Sequence, residues 1–384
     1  MTKIHWLGTG LSSIPGLRRL IIKGFTVIVY NRTLEKASQA MYSIKGDFRI
    51  VEFSFEAIEK NAEAGDIIVS MLPGDFHVSI AKLSLSIGAH FVSSSYISKE
   101  MQDLHLEAVG KKLCLVNEVG LDPGIDHSMS HALVDDYKKS KKFSKNNQHY
   151  FLSYCGGLSD LPNSFFYKFS WSPFGVLKAL MSESISIRNG KIYKVNKPWN
   201  SVELYSLPMP WGKDDFEVYP NRDSLPFVKQ YQMEDGIKIE HFVRGTLRYK
   251  GWKNAWQNIF LEIDSLNYKN SDEKLKKLSD KLWSKYAYKE GEVDRVLLTV
   301  ELKVKKEKKI IWHKQFLLDT LGNKNGSAMA QLVSNSVALT VEQIFYKKII
   351  AGVSAAPSQI DLVKNNLEQA KNLSDHFILM DHLS

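Results

Sequence analysis

Over the first 128 residues, short apolar runs alternate with amphipathic stretches. The runs at residues 3–7, 26–30, 49–53, 67–71, 90–93 and 113–116 have the length of strands. The intervening stretches, such as 34–42 and 77–87, space their apolar positions as helices do. Crossovers of that length require parallel strands, so the pattern predicts an α/β region, a Rossmann-type doubly wound parallel sheet over residues 1–128. Beyond residue 128 the rhythm changes. Residues 128–137 read as a helix and 150–154 as a strand, and 185–195 read as a hairpin turning at Asn189-Gly190. Residues 237–249, 293–304 and 310–318 alternate as long strands. Residues 129–326 are therefore expected to form a second α+β domain with a mixed, largely antiparallel sheet. A charged helical stretch occupies 252–286, and 327–350 reads as a long amphipathic helix. The chain has no internal repeat and no low-complexity segment.

Composition narrows the possibilities without choosing among them. A chain of 384 residues can bury two cores, and 44% hydrophobic with 24% charged residues is ordinary for a globular protein. No apolar run is long enough to span a bilayer, and the N-terminus leads directly into a strand, so no membrane association is expected. With only Cys114 and Cys155 there is no disulfide framework and no metal-ligand spacing, which points to the cytoplasm and to no metal. The net charge of +9 raises the question of nucleic acid. The lysine-rich stretches at 138–145 and 303–309 lack interleaved aromatics and read as solvated faces, so no nucleic-acid partner is expected. The same positive field would attract an anionic cofactor and a polycarboxylate.

Candidate chemistry begins at HWLGTGLSSIPGL, residues 5–17. Gly8, Thr9 and Gly10 stand between a strand and a helix. Gly8 permits the tight turn, and Gly10 lets the backbone approach a pyrophosphate at the helix N-terminus. Ser13 holds the third small position, where its size is expected to loosen helix–strand packing. The second strand ends Tyr30-Asn31-Arg32-Thr33, with no carboxylate to accept ribose hydroxyls. Arg32 instead offers a guanidinium suited to a 2′-phosphate, which favours NADP. Further along, NEVGLDPGIDH at 117–127 sets Asp122 between Leu121 and a Pro-Gly turn, at the carboxyl end of the last strand of the sheet.

That segment resembles the saccharopine dehydrogenase family, in particular its glutamate-forming branch. Five further motifs of that branch stand in order: VSSSYIS at 92–98, FLSYCGG at 151–157, YKFSWSP at 167–173, YPNRDS at 219–224 and VRGTLRY at 243–249. The resemblance implies an NADP-dependent oxidoreductase that interconverts saccharopine with allysine and L-glutamate by hydride transfer at a secondary amine C–N bond. It implies a homodimer, a helical insertion shortened at 252–286, and C-terminal helices over 327–384 that pack back toward the cofactor domain.

By the same resemblance, Tyr96, Asp122 and Cys155 occupy catalytic positions. The cofactor set is Gly8, Thr9, Gly10, Leu11, Ser12, Asn31, Arg32, Thr33, Leu72, Ser94, Ser95 and Leu121. The substrate set is Tyr96, Ile97, Asp122, Arg222, Thr246, Leu247 and Arg248. Asp122 is read as handling a proton or orienting water, with Tyr96 holding that water. A lone Cys155 in an apolar strand would ordinarily be a small core residue, and the motif around it suggests contact with the reacting centre without a covalent step. Three carboxylates on the substrate call for arginine clamps, and Arg244 reads equally as a clamp or a strand-face charge. Relatives often carry Arg where this chain has Phe174. The competing readings are a dehydrogenase of the carboxynorspermidine type, the lysine-forming saccharopine dehydrogenase, and a non-catalytic NADP-binding relative.

Overall fold

The chain folds into strands β1 (Ile4–Leu7), β2 (Val27–Asn31), β3 (Phe48–Glu52), β4 (Ile67–Ser70), β5 (His90–Ser93) and β6 (Cys114–Val116). There follow β7 (Gln148–Ser159), β8 (Ser184–Arg188), β9 (Lys191–Val195), β10 (Glu203–Met209), β11 (Gly212–Pro220) and β12 (Ile239–Tyr249). The last are β13 (Asp294–Lys306), β14 (Lys309–Leu321), β15 (Gly352–Ser354) and β16 (His376–Asp381). The computed structural model describes residues 2–266 and 271–384. Contacts divide the chain into one unit of Met1–Ser128 with Lys324–Leu373, and a second of Met129–Asn323 with Ser374–Ser384.

In the first unit a parallel sheet runs β15-β6-β5-β4-β1-β2-β3. Ile4, Trp6, Val27 and Val29 point into one core, while Leu7, Ile28, Tyr30 and Ile68 point into the other. Burial on both faces is why these strands read as apolar runs rather than as alternation. Strand order reverses between β1 and β4, so the carboxyl ends of those strands open a crevice suited to a ligand. The helix Ala328–Phe345 crosses the helix Ile14–Ile22 closely. A Cβ on Gly16 would lie 1.9 Å from the Ser334 carbonyl oxygen, and the Gly16 N–H donates to Ser334 Oγ at 2.8 Å.

In the second unit the sheet runs β10-β11-β12-β7-β13-β14-β16, with β8 joined to β12 and β9 to β8. Neighbours are antiparallel except β12 and β7. The β8–β9 hairpin turns at Asn189 and Gly190, both at positive φ, as a two-residue turn of the hairpin type requires. One sheet face buries Tyr154, Leu158, Val218, Leu247 and Leu297. A separate aromatic core gathers Phe165, Tyr167, Phe169, Trp252, Trp256 and Phe260. The stretch expected to be helical at 252–286 supplies helices Trp252–Ala255, Gln257–Asp264 and Ser271–Tyr286, and residues 267–270 lie outside the described residues.

The C-terminal stretch differs from the all-helical expectation. Helices Ala328–Phe345 and Ile360–Asn372 are separated by β15, an edge strand of the first sheet, and the chain ends in β16, an edge strand of the second. Residues 376–381 place Phe377, Leu379 and Asp381 opposite Leu318, Phe316 and Lys314 of β14. Cross-strand pairing of that kind is invisible to helical periodicity. Among the described residues, no helix is long and apolar enough to cross a membrane, and no cluster of three or more His, Cys, Asp or Glu side chains is arranged to hold a metal.

Candidate active site

The turn after β1 has the shape an anionic nucleotide needs. Gly8 sits at φ +97°, packed against Leu72, where a Cβ would meet Leu72 Cδ2 at 3.1 Å. A Cβ on Gly10 would meet nothing, so that backbone is open to a ligand. The Thr9 hydroxyl is buried without a partner, and Leu11 is 52% exposed beside the half-buried Ser12. Ser13 does not loosen the packing, contrary to the sequence expectation. Its hydroxyl accepts from Trp6 Nε1 at 2.7 Å and donates to the Gly8 carbonyl at 2.7 Å, so it ties the strand to the turn. After β2, Asn31 Nδ2 donates to the Thr33 carbonyl at 2.7 Å, while Arg32 is exposed with no partner among the described residues.

At the carboxyl ends of β4, β5 and β6, Tyr96 OH donates to Asp122 Oδ1 at 3.1 Å. The structure therefore brings two of the predicted residues into direct contact, rather than only through a shared water. Glu118 holds this pair's supporting loop. It is buried at φ +57°, with Oε1 accepting the Ile97 N–H at 3.0 Å and Oε2 lying 3.0 Å from His127 Nε2. Asp126 caps the same turn by accepting the Gly124 N–H at 2.7 Å. His77 bridges Ser70 Oγ at 3.0 Å and Ser95 Oγ at 2.8 Å, and burial pushes its pKa down to about 4, so the imidazole stays neutral. Ser94 packs against Gly120, whose Cβ would lie 3.1 Å from Ser94 Cβ, and Leu121 is buried. Sequence reading quoted Glu118, Asp126 and His127 within NEVGLDPGIDH without giving them a role, and it did not single out His77.

In the second unit, Cys155 lies on β7 opposite Thr246 of β12 and Leu298 of β13, partly exposed. Directly paired residues share a face, so Cys155 and Thr246 flank Arg244 and Arg248 there. Leu247 points the other way, its side chain packed in the core with Tyr154 and Val218. Gly156 is required where it stands, because a Cβ would lie 2.5 Å from the Leu247 carbonyl. Arg222 sits in the exposed turn after β11 at φ +58°. Arg244 is buried with its guanidinium 3.9 Å from the Phe227 ring centre. Phe174 packs at the edge of the aromatic core, with the Lys178 ammonium 5.5 Å from its ring.

Arg248 is a buried charge on the same strand as Arg244. It is 5% exposed, its Nη1 donates to the Leu247 carbonyl at 3.1 Å, and its Nε has no partner. The carboxylate opposite it in register, Glu217, is taken by the Gly251 N–H at 3.0 Å and the Lys253 N–H at 2.7 Å. A desolvated guanidinium without a carboxylate among the described residues is suited to an anion from solution.

A family model described as the saccharopine dehydrogenase C-terminal domain matches residues 120–371. The saccharopine dehydrogenase (NADP(+), L-glutamate-forming) of Pyricularia oryzae is 34% identical over 254 residues, 64% of this chain and 54% of that protein. That of Saccharomyces cerevisiae is 35% identical over 255 residues, with the same shares. The mitochondrial alpha-aminoadipic semialdehyde synthase of Rattus norvegicus is 32% identical over 274 residues, 69% of this chain and 28% of that protein. The matched part of the chain thus spans about half the length of these fungal relatives. Among solved structures, the apo saccharopine dehydrogenase (L-Glu forming) from Saccharomyces cerevisiae superposes with a TM-score of 0.82 at 23% identity, covering 99% of this chain and 100% of that one. The homospermidine synthase of Legionella pneumophila gives 0.65 at 11% identity, over 99% and 91%. Both structural likenesses establish the fold.

Proposed function

The chain belongs to the saccharopine dehydrogenase family, and from that premise we propose that it interconverts saccharopine with allysine and L-glutamate as an NADP-dependent oxidoreductase acting on a secondary amine. The observation that carries this reading is Arg248, a buried cation left without a carboxylate on the same sheet face as Cys155 and Thr246. A substrate bearing three carboxylates would supply the missing anion. Arg222 is proposed as a second clamp.

NADP fits the first unit on the grounds of the open backbone at Gly10, the unpartnered Thr9 hydroxyl and the free Arg32. The residues proposed to hold it are Gly8, Thr9, Gly10, Leu11, Ser12, Asn31, Arg32, Thr33, Leu72, Ser94, Ser95 and Leu121. When bound, it supplies the hydride exchange at the lysine-side carbon. The chain's own contribution is proton and water handling. Asp122 accepts a proton from the water that adds to that carbon and returns it to the glutamate nitrogen, and the freed carboxylate then takes the hydroxyl proton as the C–N bond breaks with the electron pair on nitrogen and the carbonyl forms. Tyr96 OH, hydrogen-bonded to Asp122 Oδ1, keeps the carboxylate oriented. His77 fixes Ser95 at the cofactor edge as a neutral imidazole. Cys155 is proposed to touch the reacting centre without bonding to it. The same resemblance leads us to propose a homodimer in the cytoplasm, testable by light scattering and fractionation.

The test is direct. Purified protein is expected to oxidise NADPH only when allysine and L-glutamate are present together. Equal rates with putrescine or diaminopropane in place of glutamate would replace this reading with the carboxylated-polyamine one. Cofactor choice is a separate expectation. NADPH binds at least about tenfold better than NADH, since a charged hydrogen bond to the 2′-phosphate contributes about 1.5–3 kcal/mol. Arg32→Ala erases most of that ratio in fluorescence titrations. Undiminished discrimination by the variant would show that the phosphate is held elsewhere.

A further inference from the structure

Tyr96 and Asp122 reach the crevice on different loops, one after β5 and the other after β6, yet their side chains meet at 3.1 Å. A second set of contacts joins the same two loops beneath them. Glu118 Oε1 accepts the N–H of Ile97, the residue after Tyr96, at 3.0 Å. Glu118 Oε2 lies 3.0 Å from His127 Nε2, and the other ring nitrogen, Nδ1, lies 3.5 Å from Asp126 Oδ2. Asp126 Oδ1 in turn accepts the Gly124 N–H at 2.7 Å, within the turn that carries Asp122. A path from Ile97 to Gly124 thus runs through Glu118, His127 and Asp126. These three residues are buried, while Tyr96 and Asp122 are half-buried.

Stability is a poor reason for such a cluster. Two carboxylates and an imidazole out of water carry a desolvation cost that apolar side chains of similar volume would avoid. The backbone supplies a second argument. Glu118 sits at φ +57°, in the left-handed region where glycine is at ease and a larger residue is strained. Neither the burial nor the backbone asks for glutamate. Reach does: one carboxylate oxygen arrives at Ile97 and the other at His127.

We infer that Glu118, His127 and Asp126 are positioning residues, a buried brace that fixes the loop of Tyr96 against the turn of Asp122 and so keeps the phenol on the carboxylate while protons move. The brace acts through Tyr96 and Asp122, so its loss is felt in turnover rather than in cofactor binding. It rests on the reading of Tyr96 and Asp122 as the proton-handling pair.

The experiment uses the full chain with NADP present and the variants Glu118→Gly, Glu118→Gln and His127→Gln. Glycine suits the left-handed backbone and removes the carboxylate. Glutamine in place of Glu118 keeps an oxygen for Ile97, and glutamine in place of His127 can donate to one carboxylate but cannot bridge two. Glu118→Gly is expected to lower kcat with saccharopine on the order of a hundredfold, the scale of a catalytic group misplaced by about 1 Å. Glu118→Gln should recover part of that loss, with NADP affinity held in both. In a Tyr96→Phe background the Glu118→Gly loss should shrink sharply, because the brace has no hydroxyl left to aim. Hydrogen exchange, read residue by residue, gives a measure independent of turnover. His127→Gln should speed exchange of the Ile97 and Gly124 amides together, although they donate to Glu118 and Asp126. Full additivity with Tyr96→Phe, or exchange at both amides unchanged by His127→Gln, would overturn the brace. Faster exchange at both amides in a protein that does not turn over saccharopine, or whose turnover ignores Asp122→Asn, would sink the proton-handling reading and leave the brace standing. Should Glu118→Gly or His127→Gln fail to fold, the near-isosteric Glu118→Gln decides alone: its kcat loss must vanish in the Tyr96→Phe background.

Discussion

Arg248→Met raises the Michaelis constant for saccharopine by roughly thirty- to several-thousand-fold while leaving that for NADP nearly unchanged. The range follows from removing one partner of a buried charged pair, which costs about 2–5 kcal/mol. Arg248 belongs at the upper part of that range because it is 5% exposed and water cannot substitute for it. Methionine keeps much of the aliphatic stem against Tyr167, Tyr219 and Trp252, so the aromatic packing survives. No ion pair within the described residues is broken by the change, so the melting temperature should hold or rise. The competing explanation, a purely structural cation, makes the opposite pair of claims: an earlier melt and an unchanged saccharopine constant. Thermal denaturation and initial-rate kinetics on one preparation separate the two.

Asp122→Asn lowers kcat by roughly a hundredfold or more, the usual scale for a general acid–base group. The amide oxygen can still accept from Tyr96 OH, so the 3.1 Å contact and the loop geometry are retained while the ability to take up a proton is lost. NADPH affinity should move little, since the Gly8–Ser12 turn and Arg32 are untouched. Cys155→Ser is expected to be milder, because a hydroxyl keeps some of the hydrogen bonding of the thiol. A kcat within threefold of the wild type for Asp122→Asn would remove Asp122 from proton handling.

The parallel sheet was legible in the sequence because burial on both faces leaves a plain signature, runs such as Ile67 to Val69 without polar interruption. β10 was not, since Pro208 interrupts its alternation and an edge strand tolerates proline. β15 was not either, because three residues carry no period. At the site, Gly8 and Gly10 announce themselves through turn chemistry, and Asp122 through the turn that frames it. Glu118 stayed hidden, since its burial and its hold on Ile97 depend on β5 and β6 lying side by side.

The return of residues 324–373 to the first unit bears on how the protein is made. A ribosome that has released residues 1–323 has delivered the whole glycine-rich turn and six of the seven parallel strands. It has not yet delivered Val337, Ala338, Val341 and Ile344, which fill one of that unit's two cores, nor β15, which completes its edge. An unfinished apolar face must therefore wait, through the synthesis of β7 to β14, for its cover. The second sheet waits in turn for its outermost strand, β16, which comes later in the chain than β15. Neither unit can be completed co-translationally before the segments that return to it, Lys324–Leu373 and Ser374–Ser384, have been made. A truncation at residue 128 or 323 would therefore isolate a first unit with an exposed apolar face, an aggregation-prone species rather than a domain.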